Sequence, residues 1–345
     1  MAQAVGTIRV LIVDDSALVR DMIRTILESE PGIVVAGEAV DGAEAVAKVP
    51  LLKPDIVTMD IEMPVMGGLE AIERIMAKHP VPILVVTTLT GVRTAFDAVS
   101  KGALDVIEKP DITPENVQTF ISRIRRLCRV DVPAHLAVMG RRSGHPARSG
   151  GRAPQHKGSI VAIAASTGGP HAIHSILSQL PVTFPVPIVI TQHNAEGFTK
   201  GMAEWLNSGT PLTVTVARND DCLVSGRVYI NPAEHSMRIT GRGTILLGDR
   251  DLGQIYNPSC NTLLTSVAAA YREKGIGLIL TGMGNDGVSG IQAIKQAGGY
   301  TLAQDEKSSV VFGMNRCAVE LGCIDKVLPL GDIPAELMLR VGGRQ

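Results

Sequence analysis

Aromatic side chains are what this sequence has least of: Phe, Trp and Tyr together make up 3% of its 345 residues. So few rings give little material for a deep hydrophobic slot, and any binding site is expected to be an open rim. Cysteine is also sparse. The five present (Cys128, Cys222, Cys260, Cys317 and Cys323) are odd in number and never in CxxC spacing, which argues against a disulfide framework or a zinc site and leaves them as small core residues. A surplus of one charge is missing too. A formal net charge of −1 argues against a nucleic-acid binder driven by phosphate neutralisation. No apolar run reaches the length of a membrane span, and the first residues lack the basic-then-apolar plan of a signal peptide. No membrane insertion is expected, and the expected location is the cytoplasm. Hydrophobic residues, at 45%, suffice for two cores, the default for this length.

The first half alternates strand and helix patterns. Ile8 to Val13, Val34 to Ala39, Ile56 to Met59, Ile83 to Thr87 and Asp105 to Glu108 read as strands, each followed by a helical segment. Five βα units imply a doubly wound parallel sheet. Asp14 and Asp15 end the first strand, Asp60 the third and Thr87 the fourth, and Lys109-Pro110 follows the fifth. All belong to one rim. Carboxylates from neighbouring strands repel unless a cation sits between them, and an oxygen-only cluster suits Mg²⁺. One acid alone would be a helix cap; three acids with a Thr and a Lys are a site that accepts a phosphoryl group.

Val13-Asp14-Asp15-Ser16, Met59-Asp60-Ile61-Glu62-Met63-Pro64-Val65-Met66-Gly67-Gly68 and Glu108-Lys109-Pro110 resemble the receiver domain of two-component response regulators. The resemblance implies that Asp60 is phosphorylated by a histidine kinase, that Asp14, Asp15 and Asp60 hold Mg²⁺ with the carbonyl of Glu62, and that Thr87 and Lys109 switch with the phosphate. Val106 departs from the pattern, standing where many receivers carry Tyr or Phe. The receiver is assigned to residues 1–128. From Arg129 to Lys157 the periodicity fails in a stretch rich in Gly, Ser, Pro and Arg, which is read as a flexible linker.

The rest, 158–345, is organised around Ile160-Val161-Ala162-Ile163-Ala164-Ala165-Ser166-Thr167-Gly168-Gly169-Pro170. An uninterrupted apolar run reads as a strand buried on both faces, and the glycines and Pro170 turn it into a helix. Ser166 alone would be an N-cap. Two further strand ends carry His193 and Asp286, the latter in Thr281-Gly282-Met283-Gly284-Asn285-Asp286-Gly287. A serine hydroxyl becomes nucleophilic when an imidazole takes its proton, and the imidazole needs a carboxylate to orient it. His235 is the rival base. The turn after Ser166 lacks the lysine of a P-loop and the GxGxxG of a dinucleotide site, which weakens a nucleotide-binding alternative. No compact basic helix-turn-helix follows the linker, so a DNA-binding regulator is weaker still.

Ala165-Ser166-Thr167-Gly168-Gly169-Pro170, Gln192-His193, Gly197-Phe198-Thr199, the Thr281–Gly287 loop, Ala303-Gln304-Asp305-Glu306 and Val311-Phe312-Gly313-Met314 resemble the chemotaxis protein-glutamate methylesterase family. Alternating strand and helix patterns after Ser166, with a hairpin around Gly241-Arg242-Gly243, make this half a second doubly wound α/β sheet with a β-hairpin insert, and the resemblance implies Ser166 as nucleophile, His193 as base, Asp286 as its partner, and Thr167, Gly168 and Met283 around the oxyanion. It also implies hydrolysis of glutamyl methyl esters and deamidation of glutamines on methyl-accepting chemoreceptors, with no cofactor for hydrolysis. Ala164, Asn194, and Asn257 and Asn261 within Asn257-Pro258-Ser259-Cys260-Asn261 depart from the family's pattern, the last two at positions expected to touch substrate.

Overall fold

The computed structural model describes residues 7–88, 92–111, 113–133, 158–249, 256 and 258–342. The chain divides into two compact units, Met1–Ala137 and Val138–Gln345. Most of the expected linker, 134–157, lies outside the described residues, as does Asn257.

The first unit runs β1 (Ile8–Val13), α1 (Ala17–Glu28), β2 (Ile33–Ala39), α2 (Gly42–Leu52), β3 (Ile56–Met59), α3 (Gly68–Lys78), β4 (Ile83–Thr87), α4 (Val92–Ser100), β5 (Asp105–Glu108) and α5 (Pro114–Leu127). The strands pair in the order β2-β1-β3-β4-β5, all parallel. Val10, Leu11, Ile12, Val57, Ile83 and Leu84 are fully buried, as strands covered by helices on both faces must be. Because β1, β3, β4 and β5 are neighbours, Asp14, Asp60, Thr87 and Lys109 arrive at one edge of the sheet.

α2 continues through Pro50 to Leu52 and ends at Lys53 in the left-handed region, φ 46°. Proline removes one donor only, in the last turn, and Leu52 lies over the Cα of Gly37, where a Cβ would meet its Cδ1 at 2.6 Å. That packing offsets the lost hydrogen bond.

The second unit runs β6 (Ile160–Ala165), α6 (Gly169–Leu177), β7 (Ile188–Gln192), α7 (Phe198–Gly209), β8 (Thr213–Val216), β9 (Arg227–Ile230), β10 (Ser236–Ile239), β11 (Ile245–Gly248), α8 (Cys260–Tyr271), β12 (Gly275–Ile279), α9 (Val288–Gln296), β13 (Tyr300–Gln304), α10 (Met314–Glu320), β14 (Lys326–Leu328) and α11 (Ile333–Gly342). Seven strands pair in parallel in the order β14-β13-β12-β6-β7-β9-β8. β6 is central, every one of its residues is buried, and its neighbours are β7 and β12. β10 and β11 form a separate antiparallel hairpin, with Met237, Ile239 and Ile245 packed in one core with Leu263, Leu264 and Val267 of α8. α11 closes the unit: Ile333, Leu337 and Val341 recur at four-residue spacing and are buried. The expectation that all cysteines are core residues fails at Cys222, which is exposed, and in part at Cys128 and Cys317.

Candidate active site

The sheet order brings three chain segments to one rim. Ser166 follows β6, His193 follows β7 and Asp286 lies in the loop after β12, so the central strand is flanked by the carriers of the other two groups. Outside the carboxyl ends of parallel strands is where open α/β sheets bind ligands. Backbone hydrogen bonds register the three ends: Ser166 N–H donates to Thr281 O at 3.1 Å and His193 N–H to Ala165 O at 3.1 Å.

The turn after Ser166 needs its glycines. Gly168 sits at φ 77°, and a Cβ there would lie 2.6 Å from Val310 side-chain atoms. Gly282 lies flat against the nucleophile, where a Cβ would meet that of Ser166 at 2.7 Å. Gly169 N–H donates to Ser166 O at 2.7 Å and opens α6, with Pro170 in its first turn. Thr167 is buried, its carbonyl accepting from Thr281 Oγ1 at 2.9 Å, and Met283 is half-buried beside Gly282. Gln192 Nε2 donates to Ser166 O at 2.9 Å and to His193 O at 3.1 Å, fastening two of the strand ends together.

His193 Nε2 lies 2.8 Å from Asp286 Oδ2. The Asp286 carboxylate also accepts from the backbone N–H of Cys260 at 2.6 Å, Asn261 at 3.0 Å and Gly287 at 3.1 Å, and from Ser259 Oγ at 3.2 Å. It therefore sits on the N-terminus of α8, where free N–H groups favour an anion. Burial by itself would raise its pKa, but the imidazole and these backbone donors outweigh burial and hold the carboxyl below its usual range. The opposite ring face of His193 is covered by Tyr256, stacked at 5.3 Å between centroids. His235, the alternative base, is exposed. The Ser166 hydroxyl makes no hydrogen bond among the described residues.

At the rim of the first unit, Lys109 Nζ lies 2.7 Å from both Asp60 Oδ2 and Asp14 Oδ2. Only the Asp60 contact has hydrogen-bond geometry, and Asp14 Oδ2 is buried without a hydrogen bond. Burial raises the Asp14 pKa despite the pull of Lys109. Ligand oxygens of Asp14, Asp15 and Asp60 all lie within 4.8 Å of one another. An all-oxygen set whose buried Asp14 Oδ2 is held only by the Lys109 ion pair fits a hard divalent cation such as Mg²⁺. Thr87 is buried at the end of β4, its carbonyl accepting from Lys109 N–H at 2.9 Å, and Glu62 is exposed in the loop after Asp60.

Comparison with known proteins agrees with this two-part geometry. Residues 161–337 match the family model described as CheB methylesterase and residues 10–121 the one described as response regulator receiver domain. The chain is 46% identical over 344 residues to a protein-glutamate methylesterase/protein-glutamine glutaminase of Paramagnetospirillum magneticum, covering 96% of each. A relative of the same description from Anaeromyxobacter dehalogenans is 45% identical over 334 residues, again with 96% of each covered. The chain belongs to the CheB methylesterase family. Among solved structures, the CheB methylesterase catalytic domain of Thermotoga maritima superposes with a TM-score of 0.51 at 39% identity, covering 53% of this chain and 98% of that domain.

The structure accounts for three departures from the usual CheB pattern. Ala164 is fully buried on β6, against the Cα of Gly287. Asn194 turns back to Met202, its Nδ2 3.2 Å from the sulfur. Asn261, expected at the substrate, instead accepts from the backbone N–H of Gly287 at 2.9 Å and Gly290 at 3.0 Å. One amide oxygen thus caps α9 and fixes the loop that carries Asp286. Sequence reading missed this role, and missed Tyr256 and Cys260 beside the imidazole, because no local pattern signals contacts made across 26 positions, as from Asn261 to Gly287, or 67, as from Cys260 to His193.

Proposed function

We propose that this CheB-family chain is a protein-glutamate methylesterase and protein-glutamine glutaminase acting on chemoreceptors, with Ser166, His193 and Asp286 as its catalytic groups and Asp60 as the site of control. The observation that carries the reading is the 2.8 Å His193–Asp286 pair on strand ends flanking Ser166. Ser166 Oγ attacks the γ-carbonyl of a glutamyl methyl ester while the imidazole nitrogen not held by Asp286 takes its proton. The same proton then passes to the leaving methanol, or to ammonia from a glutamine. Water repeats the sequence on the Ser166 ester and releases a glutamate carboxylate. Asp286, kept ionised by its backbone donors, stabilises the imidazolium in both steps. The loop N–H groups near Gly168 and Met283, with Thr167 bracing the turn, serve the developing oxyanion.

In the receiver, Asp14, Asp15 and Asp60, with the carbonyl of Glu62, would hold Mg²⁺, which when bound neutralises charge on the incoming phosphoryl group. Asp60 takes that group from a histidine kinase, Lys109 pairs with the added charge, and Thr87 responds to it. Cytoplasmic action fits the receiver chemistry, and among the described residues no helix is long and apolar enough to cross a membrane.

A receptor methyl ester is presented on a helix, which an open rim with few aromatics can receive, so remote contacts position the carbonyl. Methanol release from methylated receptor should exceed that from free glutamate methyl ester by orders of magnitude in kcat/KM. Equal values would remove receptors as the substrate.

A further inference from the structure

Three donors of different chemistry converge behind the proposed nucleophile: His193 at the end of β7, Cys260 as first residue of α8, and Asp286 before α9. Their ligand atoms all lie within 4.8 Å of one another. Cys260 Sγ is 3.5 Å from His193 Nε2, which is 2.8 Å from Asp286 Oδ2. Ester hydrolysis has no use for that thiol.

We propose that His193, Cys260 and Asp286 form an inhibitory site for a thiophilic divalent cation, with Zn²⁺ or Cd²⁺ as the fitting class. The proposal rests on the triad reading only for its consequence, inhibition; the binding stands on geometry. Tetrahedral zinc with ordinary bond lengths separates a sulfur and an imidazole nitrogen by about 3.6 Å, against the 3.5 Å present. A nitrogen and a carboxylate oxygen on the same ion stand about 3.3 Å apart, so the imidazole must move from Asp286 by a few tenths of an ångström. The cation takes the place of the proton between Nε2 and Oδ2, which moves to Nδ1 so that the imidazole stays neutral, and it displaces the thiol proton to solvent; nothing is oxidised. Burial pushes the Cys260 thiol well above its usual range, so without a cation it is a neutral, unreactive neighbour of the base. The imidazole edge, 12% exposed, gives the way in. A bound cation fixes the imidazole and stops it accepting a proton. The oxygen-only cluster of Asp14, Asp15 and Asp60 offers no sulfur or nitrogen and sorts instead for hard ions.

The test titrates the full chain with Cd²⁺ in excess Mg²⁺, reading thiolate-to-cadmium ultraviolet absorption and ester hydrolysis in parallel. In the unaltered chain a charge-transfer band should saturate at one Cd²⁺, hydrolysis should fall in step, and a chelator should reverse both. Cys260→Ser and Cys260→Ala should lose that band and need at least about tenfold more Cd²⁺ for the same fractional inhibition of their own cation-free rates. Cys222→Ser, at the exposed thiol, should behave as the unaltered chain does. Equal inhibition with and without the Cys260 sulfur, or a band that follows Cys222, would overturn the proposal. Ser166→Ala should keep the band; hydrolysis persisting in that variant would instead refute the triad and leave the metal site standing.

Discussion

At the rim of the first unit the buried carboxylates face a lysine; at the rim of the second, Asp286 faces backbone N–H groups and an imidazole. Both rims are built alike, by parallel strands delivering polar residues past their carboxyl ends. Their electrostatics differ. Burial wins at Asp14, whose pKa is raised and whose Oδ2 has no hydrogen bond, whereas hydrogen bonds win at Asp286, whose pKa is lowered in an equally closed setting. One fold thus gives a rim whose carboxylates cluster around a lysine, and another whose carboxylate is held by backbone donors and an imidazole.

The sharpest way to break this contrast is to remove the second rim's own groups. Ser166→Ala and His193→Ala should each lower kcat by roughly 10⁵- to 10⁶-fold, and Asp286→Asn by roughly 10⁴-fold, because such groups act as a unit. His235→Ala should leave kcat unchanged. Steady-state methanol release measures all four, and an inactive His235→Ala with an active His193→Ala would reassign the base.

The next effect is smaller and belongs to the first rim. Asp60→Asn should abolish phosphoryl uptake from a small phosphodonor with Mg²⁺, and with it the change in hydrolysis that phosphorylation produces, while basal hydrolysis persists. Coupling between sites is typically about 1–3 kcal/mol, so the lost response should be roughly five- to hundredfold. Phosphodonor-stimulated rates in the variant equal to those of the unaltered chain would disconnect the first rim from the second.

A third carboxylate, away from both rims, sharpens the comparison from outside. Glu336 on α11 is buried and meets Lys326 at 2.6 Å, Arg340 at 2.8 Å and Tyr300 Oη at 2.9 Å. Burial acts to raise its pKa, but these three donors win and bring it from 4.5 to about 2. A depressed carboxyl stabilises the fold above its unfolded pKa, and that contribution disappears as pH falls from 4.5 through about 2. Lys326 and Arg340 are substantially exposed, so screening limits it to about 1 kcal/mol. Trp205, the single tryptophan, is buried in the same unit on α7 and reports its unfolding. Urea titrations followed by its fluorescence should show Glu336→Gln losing less stability over that pH window than the unaltered chain; equal losses would remove Glu336 as the cause.

How far the sequence disclosed this can be argued from particular residues. Ser166 was legible because it directly ends an apolar run, and His193 and Asp286 because the loops that carry them follow such runs, by which buried parallel strands announce themselves. Asp14, Asp60, Thr87 and Lys109 stood out for the same reason. The order of strands was not legible from periodicity, yet it is what sets β7 and β12 on either side of β6. Cysteine spacing argued against a zinc site because it cannot show Cys260 meeting His193 and Asp286, ligands that come from three separate segments. Asn261 looked like an altered substrate contact because a motif shows which residue changed and not which N–H groups its oxygen reaches. Helix α11 was overlooked because its apolar positions are interrupted by Glu336 and Arg340, whose value lies in pairing with Tyr300 and Lys326 elsewhere in the chain.

The most direct test of the central claim, that Ser166 is a nucleophile activated through His193 and Asp286, is stoichiometric labelling of the full chain by a serine-directed phosphonate, located by peptide mass spectrometry. The account predicts one label per chain, on Ser166, with none in Ser166→Ala and strongly slowed labelling in His193→Ala and Asp286→Asn. Undiminished labelling in Ser166→Ala, or equal rates in all four proteins, would contradict it.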